Sequence, residues 1–161
     1  MDQSPLHLAA ERSNTGVARI LLEHGADPSH KDSRGRTPFH IALESTYGDT
    51  EMIRDFLRVF KTSMLGNKDD KGNTALHLTA KNGTAEVAAT LIEKGAKVDE
   101  PNSDRNTPIH LAVENRDSDV LQLLLKKPVR DIDAWNDKQE TALHMAAKSG
   151  DKKCVELLLK K

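Results

Sequence analysis

One seven-residue phrase returns five times along this chain, and its return constrains the fold more than any other feature. The copies are Ser4-Pro5-Leu6-His7-Leu8-Ala9-Ala10, Thr37-Pro38-Phe39-His40-Ile41-Ala42-Leu43, Thr74-Ala75-Leu76-His77-Leu78-Thr79-Ala80, Thr107-Pro108-Ile109-His110-Leu111-Ala112-Val113 and Thr141-Ala142-Leu143-His144-Met145-Ala146-Ala147. They begin at residues 4, 37, 74, 107 and 141, so the steps are 33, 37, 33 and 34 residues. A near-constant step of this size marks a stack of similar units. Each unit buries its apolar face on its neighbours instead of in one central core. A long row of such units suits the holding of other molecules.

Local physics predicts what each unit builds. Ser or Thr caps the free amides at a helix start, and Pro in the first turn loses no needed donor. The apolar residues and small alanines that follow line one helical face, where alanine lets helices approach closely. A short turn comes next, with Gly83 or Gly150 suited to positive φ. The second helix is richer in large apolar residues, such as Val17, Ile20 and Leu21, or Val87, Leu91 and Ile92, at helical spacing. Gly25 and Gly95 sit where a helix end favours the left-handed conformation. An extended segment and a tight turn then project before the next phrase.

The period and the phrase resemble the ankyrin repeat, a unit of about 33 residues with a Thr-Pro-Leu-His-x-Ala signature. Later parts of each unit fit too: Asp32-x-x-Gly35-x-Thr37 and Asp69-x-x-Gly72-x-Thr74 match the family's turn. Leu21-Leu22-x-x-Gly25-Ala26-Asp27 and Leu91-Ile92-x-x-Gly95-Ala96 match its second helix and exit. The resemblance covers essentially the whole chain. It implies an all-α solenoid, one domain over 1–161, of about five stacked helix-turn-helix repeats with protruding β-turn or hairpin fingers. The repeats fall at approximately 1–33, 34–70, 71–103, 104–137 and 138–161. The chain starts nearly on its first phrase and stops without an exit turn, as a segment of a longer protein would.

Composition narrows the function. The net charge of −1 argues against a direct nucleic-acid binder. No apolar run approaches the ~18 residues that span a bilayer, and the start shows no signal-segment pattern. A single cysteine, Cys154, cannot form an internal disulfide, which fits a reducing interior, cytoplasmic or nuclear. Cys154 occupies an apolar helical slot and reads as a packed residue. No phosphate loop, His-Glu-x-x-His run or nucleophile elbow occurs, so no catalysis and no cofactor are expected. His7, His40, His77, His110 and His144 belong to the phrase. Equivalent positions lie one repeat apart, about 10 Å, too wide for a zinc ion with ligands at about 2 Å. The resemblance gives these histidines a structural role: each imidazole holds the phrase's Thr and nearby backbone.

Irregular units add local expectations. The 37-residue step holds four extra residues, two of them about Thr46-Tyr47 when Gly48 is aligned with the inter-helix glycine. The others follow Met52, Ile53, Phe56, Leu57 and Phe60, in Lys61-Thr62-Ser63-Met64-Leu65-Gly66. This stretch is read as a longer helix whose tail packs on the next unit, with an exposed partner patch as the alternative. Arg105 and Gln139 replace the turn glycine of other units, which predicts a slightly different turn there. A protruding Arg105 at a contact surface is the alternative. Pro128 is expected to end the fourth unit's second helix.

In proteins that resemble this one, partners lie along the groove made by turn tips and first helices. Turn-tip positions here are Lys31, Ser33, Arg34 and Arg36; Asp70, Lys71 and Asn73; Ser103, Asp104, Arg105 and Asn106; then Trp135, Asp137, Lys138 and Glu140. First-helix positions are Glu11 and Arg12, Glu44 and Ser45, Lys81 and Asn82, Glu114 and Asn115, Lys148 and Ser149. These differ from unit to unit while the packing positions repeat. Trp135 is the foremost hot-spot candidate, because Trp and Arg dominate interface energies. Packing on Ile132 or a neighbouring turn is its alternative. Arg34 and Arg36 are candidates to grip a carboxylate or phosphorylated segment. The expected function is an intracellular protein–protein interaction module, an adaptor, scaffold or inhibitor-like segment acting as a monomer on another protein. A ligand-responsive regulatory segment of a larger channel or multidomain enzyme is the alternative.

Overall fold

A computed structural model describes residues 2–45 and 50–161. Thr46, Tyr47 and Gly48, where half of the insertion was placed, lie outside the described residues. The chain divides into two compact units, Met1–Asp70 and Lys71–Lys161. All the regular structure among the described residues is helical.

The first unit holds α1 (Pro5–Glu11), α2 (Thr15–Glu23), α3 (Pro38–Glu44) and α4 (Thr50–Val59), followed by a 3₁₀ turn at Thr62–Met64. First helices pack together, α1 on α3, and second helices together, α2 on α4. Leu6 and Ala10 of α1 and Phe39 of α3 are buried between them. Arg19 of α2 ties the outer layer by reaching Glu51 at 2.7 Å and the buried Asp55 at 2.8 Å. Phe39 meets Phe56 and Phe60 at ring-centroid distances of 5.7 and 5.0 Å. Phe60 and Met64 are buried. The extra segment is therefore neither a longer helix nor an exposed patch. The helix stops at Val59, and the chain turns Phe60 back onto Phe39, because burying a large side chain contributes about 1.5–3 kcal/mol.

The second unit holds α5 (Ala75–Asn82), α6 (Ala85–Glu93), α7 (Pro108–Glu114), α8 (Ser118–Leu125), α9 (Ala142–Ser149) and α10 (Lys152–Leu158). Helices α5, α7 and α9 form one layer, and α6, α8 and α10 the other. Ala80, Ala112, Ala142 and Ala146 are fully or almost fully buried in the first layer, and Leu91, Leu121 and Leu124 in the second. Small residues in the first layer bring its helices close together. Cys154 is buried as expected. Burial first, then the nearby Asp151, pushes its thiol up to about 12, so it behaves as a small apolar residue. Helix α8 ends at Leu125, three residues before the exposed Pro128.

The phrase works as its chemistry suggests. The Thr hydroxyl lies 2.8–2.9 Å from the Nδ1 of His40, His77, His110 and His144, and Ser4 does the same for His7. The backbone amide of the same Ser or Thr donates to that nitrogen at 3.1–3.4 Å. An amide can only donate, so Nδ1 is the unprotonated nitrogen. The proton is then on Nε2, which donates to Arg36 O from His7, to Asn106 O from His77 and to Ala134 O from His110. Each of these three rings thus joins its own helix start to the finger that follows.

Candidate partner-binding groove

The fingers are built by one device. In the first unit Asp32 accepts from the amides of Arg34 and Arg36 through Oδ1, both at 2.9 Å. In the second unit Asn102 takes the same role for Asp104 and Asn106, and Asn136 for Lys138 and Glu140. All three lie five residues before the phrase's Thr, so alignment on that Thr would have identified Asn102 and Asn136 as the equivalents of Asp32. That was the signal sequence reasoning missed. Backbone bonds then link adjacent fingers: Asp70 N to Arg34 O at 2.7 Å in the first unit, Ser103 N to Lys71 O at 2.9 Å and Asp137 N to Asp104 O at 3.0 Å in the second.

Arg105 and Gln139 do not make a different turn. Their φ values are 59° and 57°, against 67° and 73° for Gly35 and Gly72. The bond that closes the turn is retained, Arg105 N to Asn102 O and Gln139 N to Asn136 O, both at 3.0 Å. The fixed Asx side chain and the finger-to-finger bonds hold the backbone left-handed against a cost of about 1–2 kcal/mol per residue. Arg105 itself is exposed.

In the first unit, Lys31 and Arg34 are exposed. Arg36 is not open. It meets Asp32 at 2.9 Å and Glu44 at 3.2 Å. Burial alone would weaken its charge, but the two carboxylates outweigh that and raise its pKa. Asp32 is pushed up by burial and, more strongly together, held down by the backbone amides of Arg36 and Arg34 and the guanidinium of Arg36. Arg36 and Glu44 thus close on each other, so of the two arginines only Arg34 stands exposed. Asp70 is exposed at its finger.

In the second unit, eight of the anticipated positions converge. Lys71, Asn73, Lys81, Asp104, Asn106, Glu114, Asp137 and Lys138 line one groove of about 320 Å³, with Asn102, Asn136 and Leu111 completing its wall. Asparagines stitch it together: Asn102 Nδ2 donates to Asn73 Oδ1 at 2.8 Å, and Asn136 Nδ2 to Asn106 Oδ1 at 3.0 Å. Asn82, Asn115 and Arg105 are exposed outside this lining. Glu140 and Lys148 pair at 2.8 Å, and Lys148 holds the Glu140 carboxyl below its ordinary range. Trp135 is half-covered and contacts the ring of the phrase's own His144: the ring centroids lie 5.3 Å apart, and Trp135 remains 48% exposed. No helix among the described residues is long and apolar enough to cross a membrane.

Comparison with known proteins agrees with this architecture. A family model described as ankyrin repeats (3 copies) matches residues 45–136, and one described as ankyrin repeats (many copies) matches 6–57 and 129–159. Human Rabankyrin-5 is 35% identical over 76% of this chain. A Caenorhabditis elegans homolog of transient receptor potential cation channel subfamily A member 1 is 30% identical over 77%. The mouse B-cell lymphoma 3 protein homolog is 34% identical over 76%. The chain spans 10% of the length of the first two relatives and 28% of the third. Ankyrin repeats are protein–protein interaction modules. From the phrase, the paired helices and the matches across its length, this chain belongs to the ankyrin-repeat family.

Proposed function

We propose that this chain is an intracellular interaction module, an adaptor or scaffold that binds a partner protein through its finger tips and first helices. The reading takes residues 1–161 as one domain that works as a monomer. The observation that supports it best is the polar groove of residues 71–161. There, eight side chains that differ from repeat to repeat come together, while the repeating positions of the third and fourth phrases are buried. Most of their backbone is already fixed by Asx and finger-to-finger bonds, so little ordering entropy opposes binding. Affinity capture from lysate with the intact chain tests this against a Lys71→Ala/Asp137→Ala variant. Preys retained by the parent and lost with the variant support the groove. An identical prey list from both sinks it.

A second reading, a ligand-responsive regulatory segment of a larger channel or enzyme, draws on the likeness to channel proteins. Its basic anion site is weakened by the closure of Arg36 on Asp32 and Glu44. Calorimetry with inositol phosphates would promote it if tight binding were lost in Arg34→Ala.

A further inference from the structure

We propose that the groove of residues 71–161 takes an extended segment of a partner protein carrying an acidic and a basic side chain about three residues apart. The acid lies on Lys81 and the base on Glu114. The inference rests on the groove reading above and adds the chemistry of the partner.

The argument comes from one repeated register. The residue just before each capping Thr and the residue seven after it face each other across the finger and the first helix. In the second repeat these are Arg36 and Glu44, paired at 3.2 Å; in the fifth they are Glu140 and Lys148, paired at 2.8 Å. In the third and fourth repeats the same two register positions hold Asn73 and Lys81, and Asn106 and Glu114, and all four line the groove. A neutral amide cannot discharge either partner. Lys81 and Glu114 are exposed, line the same groove and have no ion pair among the described residues. The register that is closed in two repeats is thus open in two others, with opposite signs.

A third group supports the same ligand. Asn136 Oδ1 accepts two backbone amides, so its Nδ2 must be the atom that faces Asn106. Asn106 therefore presents Oδ1 to Asn136, and its own Nδ2 is left as an open donor in the groove wall. A main-chain carbonyl of an extended segment suits it. Packed helices lie about 8–10 Å apart, and an extended chain advances about 3.3–3.6 Å per residue. Charges reaching α5 and α7 therefore sit about three residues apart. Asp104 and Asp137, with Lys71 and Lys138, add charges of both signs to the same lining.

The test is selection of a displayed library of random peptides, about ten residues long, on the intact chain. Enriched sequences are expected to carry Asp or Glu and Lys or Arg two to four positions apart, in one chain order. A synthesised binder should weaken about tenfold on Lys81→Glu. The double variant Lys81→Glu/Glu114→Lys should prefer the peptide with its two charges exchanged. Both sites are exposed, and circular dichroism checks that the variants fold. Binders without the charge pair, yet lost on Lys71→Ala/Asp137→Ala, overturn the proposal and leave the groove standing. Binders indifferent to every groove variant overturn both, and a library that yields no binder counts against the proposal.

Discussion

The finger that carries Gly72 and the finger that carries Arg105 are the same turn one repeat apart, yet only one of them needs glycine. Both backbones are left-handed there, at 73° and 59°. At Gly72, a Cβ would lie 2.7 Å from the backbone nitrogen of Ser103 and 2.8 Å from its hydroxyl. Arg105 projects an exposed side chain instead. A turn glycine can thus answer to two demands, a torsion angle and a neighbour's approach. The torsional demand is modest and local structure can override it; the steric one cannot be met by any side chain.

The strongest way to break this comparison is Gly72→Ala. It combines the left-handed penalty with a backbone clash, and unfolding in urea should show a loss of about 3 kcal/mol. Gly150→Ala is the control, because its φ is 71° and a Cβ there would meet open space. It should lose only about 1 kcal/mol. Equal losses at the two sites would mean that crowding by Ser103 is irrelevant.

A smaller effect comes from the ring that anchors the finger before the fifth phrase. Burial, outweighing the bond to Ala134 O, lowers the pKa of His110. Above about pH 6.5, the ordinary value for histidine, neither the folded nor the unfolded chain binds this proton, and the contribution is complete. As pH falls below that value the unfolded chain takes up the proton first. Stability is then lost until pH reaches the lower folded pKa. Denaturation midpoints measured from pH 7 to 5 should fall, and His110→Gln should flatten the slope. A slope unchanged by that substitution would remove His110 as the cause.

The smallest expected change sharpens the comparison from the other side. Arg105→Gly relieves the torsion but gives the unfolded chain more freedom. A gain of about 0.5 kcal/mol is expected in the same urea assay. A loss above about 1 kcal/mol would mean that the arginine side chain, not the turn, stabilises this finger.

Much of this was legible in the residues. The resemblance gave the phrase's Thr and His, three residues apart, their shared structural role; the tautomer followed only from the amide bonds seen in the structure. The Ala positions fix which helical face is buried. Phe60 was not legible, because whether an apolar side chain past a helix end faces solvent or returns to Phe39 depends on how the chain turns after Val59. Nor was Arg36: charge and position make it a good anion ligand, and only the proximity of Asp32 and Glu44 takes it out of use. Trp135 was read as a hot spot or as packed on a neighbour, and its tilted contact with His144 was not foreseen.

The sequence by itself determined where the helices start and how they are capped, because those features rest on hydrogen bonds spanning three or four residues. Tertiary structure alone decided which charges close on one another and which stay open, and how one asparagine orients the next. Asn73 and Asn102, or Asn106 and Asn136, meet only when residues about thirty apart are stacked side by side. No local rule determines the distance across which they bond.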